Sequence, residues 1–161
     1  MRLISCALAS VLLLAACSAN PGEAASGSSQ AAAAVHPVSG LKIVPLTVTH
    51  QGKAHVFRVE VAGTEQEQAK GLMFRTEMGV DEGMMFPMDP PRGASFWMRN
   101  TVIPLDLIFV GPDGRISNIA ANAIPYNEMP LSSTGLVKGV LELNGGRAAQ
   151  LGIVAGDKVA W

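Results

Sequence analysis

Apolar and polar residues alternate over LKIVPLTVTHQGKAHVFRVEVA, residues 41–62, with the period of half-buried strands. A two-residue turn at Gly52-Lys53, glycine first, would fold this stretch into a hairpin. The hairpin pairs Val48 with Phe57, Leu46 with Val59 and Val44 with Val61 on one face, and His50 with His55 near the tip. Thr47 opposite Arg58 and Pro45 opposite Glu60 occupy the other face. A one-residue slip would destroy this agreement, so the apolar face is read as core.

The pattern then changes. In TEQEQAKGLMFR, Thr64 and Glu67 form a capping box, and Gly71 closes a short helix. Residues 76–93 hold Gly79, Gly83, Pro87, Pro90 and Pro91 and read as loop, with a short strand at GMMFPM. Further strands are predicted at 94–99, 105–110, 115–124 and 137–143, the third entered through a PDG turn at Pro112–Gly114. NAIPYNEMPLSSTG is a long loop. NGGRAAQLG is a short helix closed by Gly152, and GIVAGDKVAW is a turn with a terminal strand. Strands follow one another without regular helical crossovers. The expected fold is therefore mainly β, a small antiparallel β-barrel or sandwich with two short helices.

The N-terminus has no such alternation. In MRLISCALASVLLLAAC, Arg2 precedes an apolar run and then small residues, the order of a secretory signal. The run falls short of the roughly 20 apolar residues that span a bilayer. LAAC, Leu14–Cys17, resembles the lipobox of bacterial lipoproteins. That resemblance implies cleavage before Cys17 and acylation of its sulfur and new amino terminus. Ser18 in place of Asp favours the outer membrane, by analogy with lipoprotein sorting. The expected location is the bacterial cell envelope, periplasm-facing and held by lipid. Cys6 would be removed and Cys17 acylated, which excludes disulfides, cysteine nucleophiles and thiolate metal sites in the mature chain. The stretch 18–40 is Ala, Ser, Gly and Pro with one charge, Glu23, and reads as a linker reaching roughly 25–30 Å. His36 lies in it and receives no role. The organisation is signal peptide 1–16, lipidated cysteine and linker 17–40, and one domain 41–161, a length that suits a single core.

Charge narrows the partners. The chain carries −1, and loss of Arg2 leaves 11 basic against 13 acidic residues, or −2. No basic stripe is present, which argues against nucleic acid. The expected partner is a small polar ligand or an envelope protein, with membrane contact through the anchor only. No cofactor is expected.

GLMFR (71–75), GMMFPM (83–88), SFWMRNTVIPLDLIFV (95–110), GVLELNGG (139–146) and GIVAGDKV (152–159) come in the order of the domain of unknown function 192 family, which the whole domain resembles. The resemblance implies a small, largely β single domain, often behind a bacterial secretion signal, and no established activity. One departure is Met88, where an aromatic residue is expected.

SFWMRNTVIPLD holds the candidate site. In a strand, Phe96 and Met98 face the core, and Ser95, Trp97 and Arg99 face away. An indole beside a guanidinium can stack a sugar ring or planar ligand and clamp an anion. The alternative packs Trp97 under a loop and places Arg99 in a structural ion pair. Asp106 sits among apolar neighbours and needs a partner if buried. Arg75 and Arg99 are candidates, with Asn100 to orient them. Either Arg75, Arg99, Asn100 and Asp106 line a pocket beside Trp97, or Asp106 pins the loop through backbone N–H groups and an arginine. The second is favoured, because buried ion pairs are often structural.

Six of the methionines lie between Met73 and Met98, and thioethers suit Cu(I). Met84 and Met85 are adjacent on a strand and point apart, so core packing is preferred. His50 and His55 could share a metal across the hairpin, but no third ligand is near in sequence, and they read as exposed tip residues. No GxSxG, HExxH or P-loop is present. Asp81, Glu82, Asp106, Glu142 and Asp157 could form an acid–base pair, though their spacing shows none. The resulting reading is a membrane-tethered, non-enzymatic binding module. It offers Trp97 and Arg99, with Arg75, Asn100 and Asp106, to a small polar or carbohydrate-like ligand. A hydrolase-type enzyme using carboxylates and arginine in the same pocket, and a Cu(I)-handling protein, are the alternatives.

Overall fold

The computed structural model describes residues 34–161. The expected signal segment, Cys17 and most of the linker lie outside the described residues. Among the described residues, no helix is long and apolar enough to cross a membrane.

The hairpin forms from β1 (Ile43–His50) and β2 (Lys53–Val61). Its turn is Gln51-Gly52, one residue earlier than the sequence suggests, with φ of 47° and 80°. Positive φ at both central residues matches the twist of the flanking strands. The register moves by two: Leu46 pairs with Phe57, Val48 with His55, and His50 with Lys53. A shift of two preserves every side-chain face, so the apolar face is still the core. His50 and His55 do not face each other.

Helix α1 (Glu65–Lys70) starts with the expected capping box. The Glu67 N–H donates to Thr64 Oγ1 at 3.2 Å, and Glu67 Oε2 accepts from the Thr64 N–H at 2.8 Å. Gly71 ends it with φ of 47°.

The short strand expected at GMMFPM forms and runs further, as β3 (Glu82–Arg92), a central strand rather than a brief excursion within a loop. Its prolines mislead because they cluster at one end: pairing with β8 (Val137–Asn144) runs from Gly83 to Pro87, then shifts before Arg92. Gly83 has a packing reason. A Cβ there would lie 2.5 Å from the Glu142 carbonyl oxygen.

The predicted strand at 94–99 shrinks to β4 (Ser95–Phe96), which pairs with β7 (Leu131–Ser132) as a small second sheet. The chain turns at Met98, where the Thr101 N–H bonds back to the Met98 carbonyl and Asn100 takes φ of 53°. Strands β5 (Leu105–Val110) and β6 (Ile116–Ala123), helix α2 (Arg147–Leu151) and β9 (Lys158–Ala160) stand near their expected places.

The main sheet has seven strands in the order β6-β5-β8-β3-β2-β1-β9. Only β2 and β3 run parallel, and α1 lies in their connection. The fold is thus mainly β with two short helices. The sheet curls, and a bridge between Arg115 and Lys158 joins its two edges at one end.

Both faces of the sheet are buried. One carries Leu46, Phe57, Val59, Ile108, Leu141 and Val159; the other carries Met84, Phe86, Met98, Leu105, Leu107 and Phe109. Strand β5 is buried at all six positions, alternating between the two cores. Met84 and Met85 enter opposite cores, and Met88 and Met98 join the second. These methionines are packing residues. The second core is covered by Leu72 from the segment after α1, by Phe96 of β4 with Leu131 of β7, and by Ile103 after the turn at Met98.

Ala34–Gly40, expected as linker, is tied to this domain. Val35 bridges Lys42, and the Ser39 hydroxyl donates to the buried Glu60 carboxylate. His36 also gains a place, with Nδ1 3.7 Å from that carboxylate.

Candidate functional site

The five residues singled out in the sequence do not form one pocket. Asp106 is fully buried on β5. Its Oδ1 accepts the N–H groups of Asn122 (2.7 Å) and Gly146 (2.9 Å), and Oδ2 accepts that of Ala148 (2.8 Å). Gly146 has no side chain to cap α2, so Asp106 supplies the carboxylate for that helix start. It pins the backbone as one sequence reading held, but without an arginine.

Arg75 serves a different acid. Its Nη1 and Nη2 donate to the two oxygens of Glu60 at 2.9 and 3.0 Å, a bidentate pair with both side chains largely buried. Arg75 lines a cleft of about 890 Å³ between the N-terminal strap and the segment after α1. Several of its charged groups are paired internally: Arg75 with Glu60, Glu67 by its own cap, and Glu82 by the Gly79 N–H, while Lys70 and Glu77 also line it. Asn100 is a turn residue. Its carbonyl accepts the Phe74 N–H at 2.8 Å, and its amide approaches Met73 Sδ at 3.8 Å.

Trp97 and Arg99 do come together. The Arg99 guanidinium lies 5.6 Å from the Trp97 ring centroid, and Trp97 is 49% exposed. Glu128 is 4.0 Å from Arg99 Nε, a surface contact worth little by itself. Both residues stand on the rim of a second cleft of about 410 Å³. Its inner wall is the edge of the second core. Phe96 meets Phe86 edge-to-face at 5.1 Å and Phe109 at 6.4 Å. Met88, the departure from the family pattern, lines this cleft too. Lys70 and Arg92 complete the cationic rim.

Glu142 lies at the bottom. It sits on β8 opposite Met84 and Leu107, facing the second core, and is 5% exposed. No described residue donates a hydrogen bond to its carboxylate. Burial pushes its pKa up to about 8, because nothing replaces the lost water around the charged form. It is the single acid among the described residues lining this cleft. The sequence carried one faint signal for it, a glutamate between two leucines in GVLELN.

His50 and His55 are covered by the C-terminal turn and β9 rather than exposed. His50 Nδ1 lies 3.0 Å from Asp157 Oδ2. His55 Nε2 is buried with no partner among the described residues, and burial, then Lys53, lower its pKa. Among the described residues, no three His, Cys, Asp or Glu side chains are grouped to hold a metal.

The family match covers residues 46–161 and carries the description "Uncharacterized ACR". The chain belongs to the DUF192 family. A protein of unknown function from Novosphingobium aromaticivorans is 66% identical, with 82% of this chain and 94% of that chain covered and a TM-score of 0.79. A proposed transcription regulator from Sinorhizobium meliloti is 36% identical, with 74% and 94% covered and a TM-score of 0.72. No curated protein matches the chain. The DUF192 domain described here therefore has its fold and family, and no inherited activity.

Proposed function

We propose that this DUF192 domain is a non-enzymatic binding module of the bacterial envelope, and that its ligand enters the cleft beneath Trp97 and Arg99. The observation that carries this reading is a built cleft whose floor acid is unsatisfied and whose rim holds an exposed indole against a guanidinium. Indole and phenyl faces suit a ring, and the rim cations suit a polar or charged substituent. The lipobox-like LAAC and the following Ser18 support a lipid tether at the outer membrane, with the cleft presented to the periplasm.

The site narrows to Trp97, Arg99 and Glu142. Arg75, Asn100 and Asp106 hold the surrounding chain. A hydrolase of the two-carboxylate kind needs a second acid across the cleft, and Glu142 is alone there. The transcription-regulator description of the S. meliloti protein is not carried over, because a net charge of −1 gives little attraction for nucleic acid.

A melting-temperature screen of the full chain against neutral and acidic sugars tests the module. A ligand that raises the melting temperature should lose that effect in Trp97→Ala, whose unliganded melting temperature should stay within about 4 °C of wild type. Turnover of the ligand would make the protein an enzyme. No shift with any sugar would favour an envelope protein as partner.

A further inference from the structure

Three buried carboxylates invite comparison. Glu60 has Arg75 and Ser39, and Asp106 has three backbone N–H groups. Glu142 has no donor among the described residues, yet it opens into a cleft ringed by Lys70, Arg92 and Arg99. His55 Nε2 and Arg147 Nε are the sealed, unpaired side-chain atoms among the described residues; the Glu142 carboxyl is not one of them and opens to the cleft, where water, a proton or a ligand completes it.

We propose that Glu142 is the ligand-recognising acid of this cleft: its carboxyl group hydrogen-bonds an acceptor oxygen of a small organic anion, whose charge rests on the cationic rim. This rests on the cleft reading above and gives its ligand a chemical class. The cleft volume of about 410 Å³ admits a single ring with substituents. Phe86, Phe96 and Trp97 offer faces or edges to that ring, and Lys70, Arg92 and Arg99 take the negative group. Uronic acids carry all three features, and D-glucuronate serves as the probe. A neutral sugar would leave the rim unused.

The charge state of Glu142 decides the affinity. The other ionisable groups lining the cleft are Lys70 from α1, Arg92 from β3 and Arg99 from the turn after β4. Burial raises the pKa of Glu142 to about 8. In the protonated form it donates to the ligand. Once ionised, it has no hydrogen to give and repels an anion. Binding is therefore full below about pH 8 and falls about tenfold per pH unit above it.

Calorimetric titration of the full chain with D-glucuronate tests this, with D-glucose as comparator. Glucuronate should bind at pH 6.5 and roughly 30-fold more weakly at pH 9.5, where lysine and arginine keep their charge. Glu142→Gln retains a neutral donor of the same shape, so it should bind at both pH values with less than about threefold difference. Absence of glucuronate binding at pH 6.5, a pH-independent wild type, or a Glu142→Gln variant that keeps the pH loss would each overturn the proposal. Equal binding of both sugars, abolished by Trp97→Ala but indifferent to Glu142→Gln, would overturn it while leaving the cleft reading standing. If neither sugar binds and the screen finds no other ligand dependent on Trp97, both fall. Should Glu142→Gln fail to fold, the carboxyl titration of the wild-type side chain decides: an ionised Glu142 at pH 7 ends the proposal.

Discussion

Asp106 on β5 and Glu142 on β8 occupy adjacent rungs of one ladder, with Asp106 opposite Leu143 and Glu142 opposite Leu107. Their side chains leave the sheet on opposite faces. On one face the carboxylate meets three N–H groups drawn from β6 and the start of α2. On the other it meets methionine, leucine and the inner end of a cleft. Both are buried acids in a β core, so burial does not distinguish them. The inventory of donors does. A carboxylate whose lone pairs are filled by backbone is a structural brace. One left unfilled beside an opening keeps a demand that only a proton, water or a ligand can meet.

The largest effect should come from the brace. Asp106→Ala orphans three backbone donors, Ala148 within the core, and should cost about 4 kcal/mol of stability in denaturant unfolding. Glucuronate affinity per folded molecule should not change. A change in affinity with little loss of stability would erase the distinction between the two acids.

Glu142→Gln sharpens the comparison through pH. The folded carboxyl titrates at about 8, above its ordinary 4.5, so the folded state holds an extra proton between those values. Wild-type stability attributable to this group therefore falls as pH rises through that window and levels off above about 8. The glutamine variant escapes that loss and should be more stable than wild type at pH 9, with no such advantage at pH 4. Urea midpoints at the two pH values check it. The smallest effect belongs to the rim: Trp97→Ala should change stability by less than about 1 kcal/mol while removing ligand binding.

Much of this was legible where the determinants are local. The capping box at Thr64 and Glu67 needs only four residues in order. The doubly buried β5 follows from an unbroken apolar run interrupted by one acid. The hairpin faces survived an error of two in register, because side-chain direction has period two. The core of β3 is legible at GMMFPM, but its length and central place are not, because Pro87, Pro90 and Pro91 read as loop until β8 lies alongside. The site split along the same line. Trp97 and Arg99 stood out because alternation places them away from Phe96 and Met98. Asp106's donors lie 16, 40 and 42 residues away, and no spacing rule reports them. Glu142's isolation is more remote still, since it depends on Leu72, Phe96 and Leu131 closing over the second core. His36 was set aside with the linker for the same reason: its acid partner Glu60 is on β2.

The measurement closest to the central claim is a carbon-detected NMR titration of the Glu142 carboxyl in the full chain. A midpoint near 8 would establish the neutral acid at the floor of the cleft; a midpoint in the ordinary glutamate range, about 4–5, would show an ionised and already satisfied side chain and contradict the account.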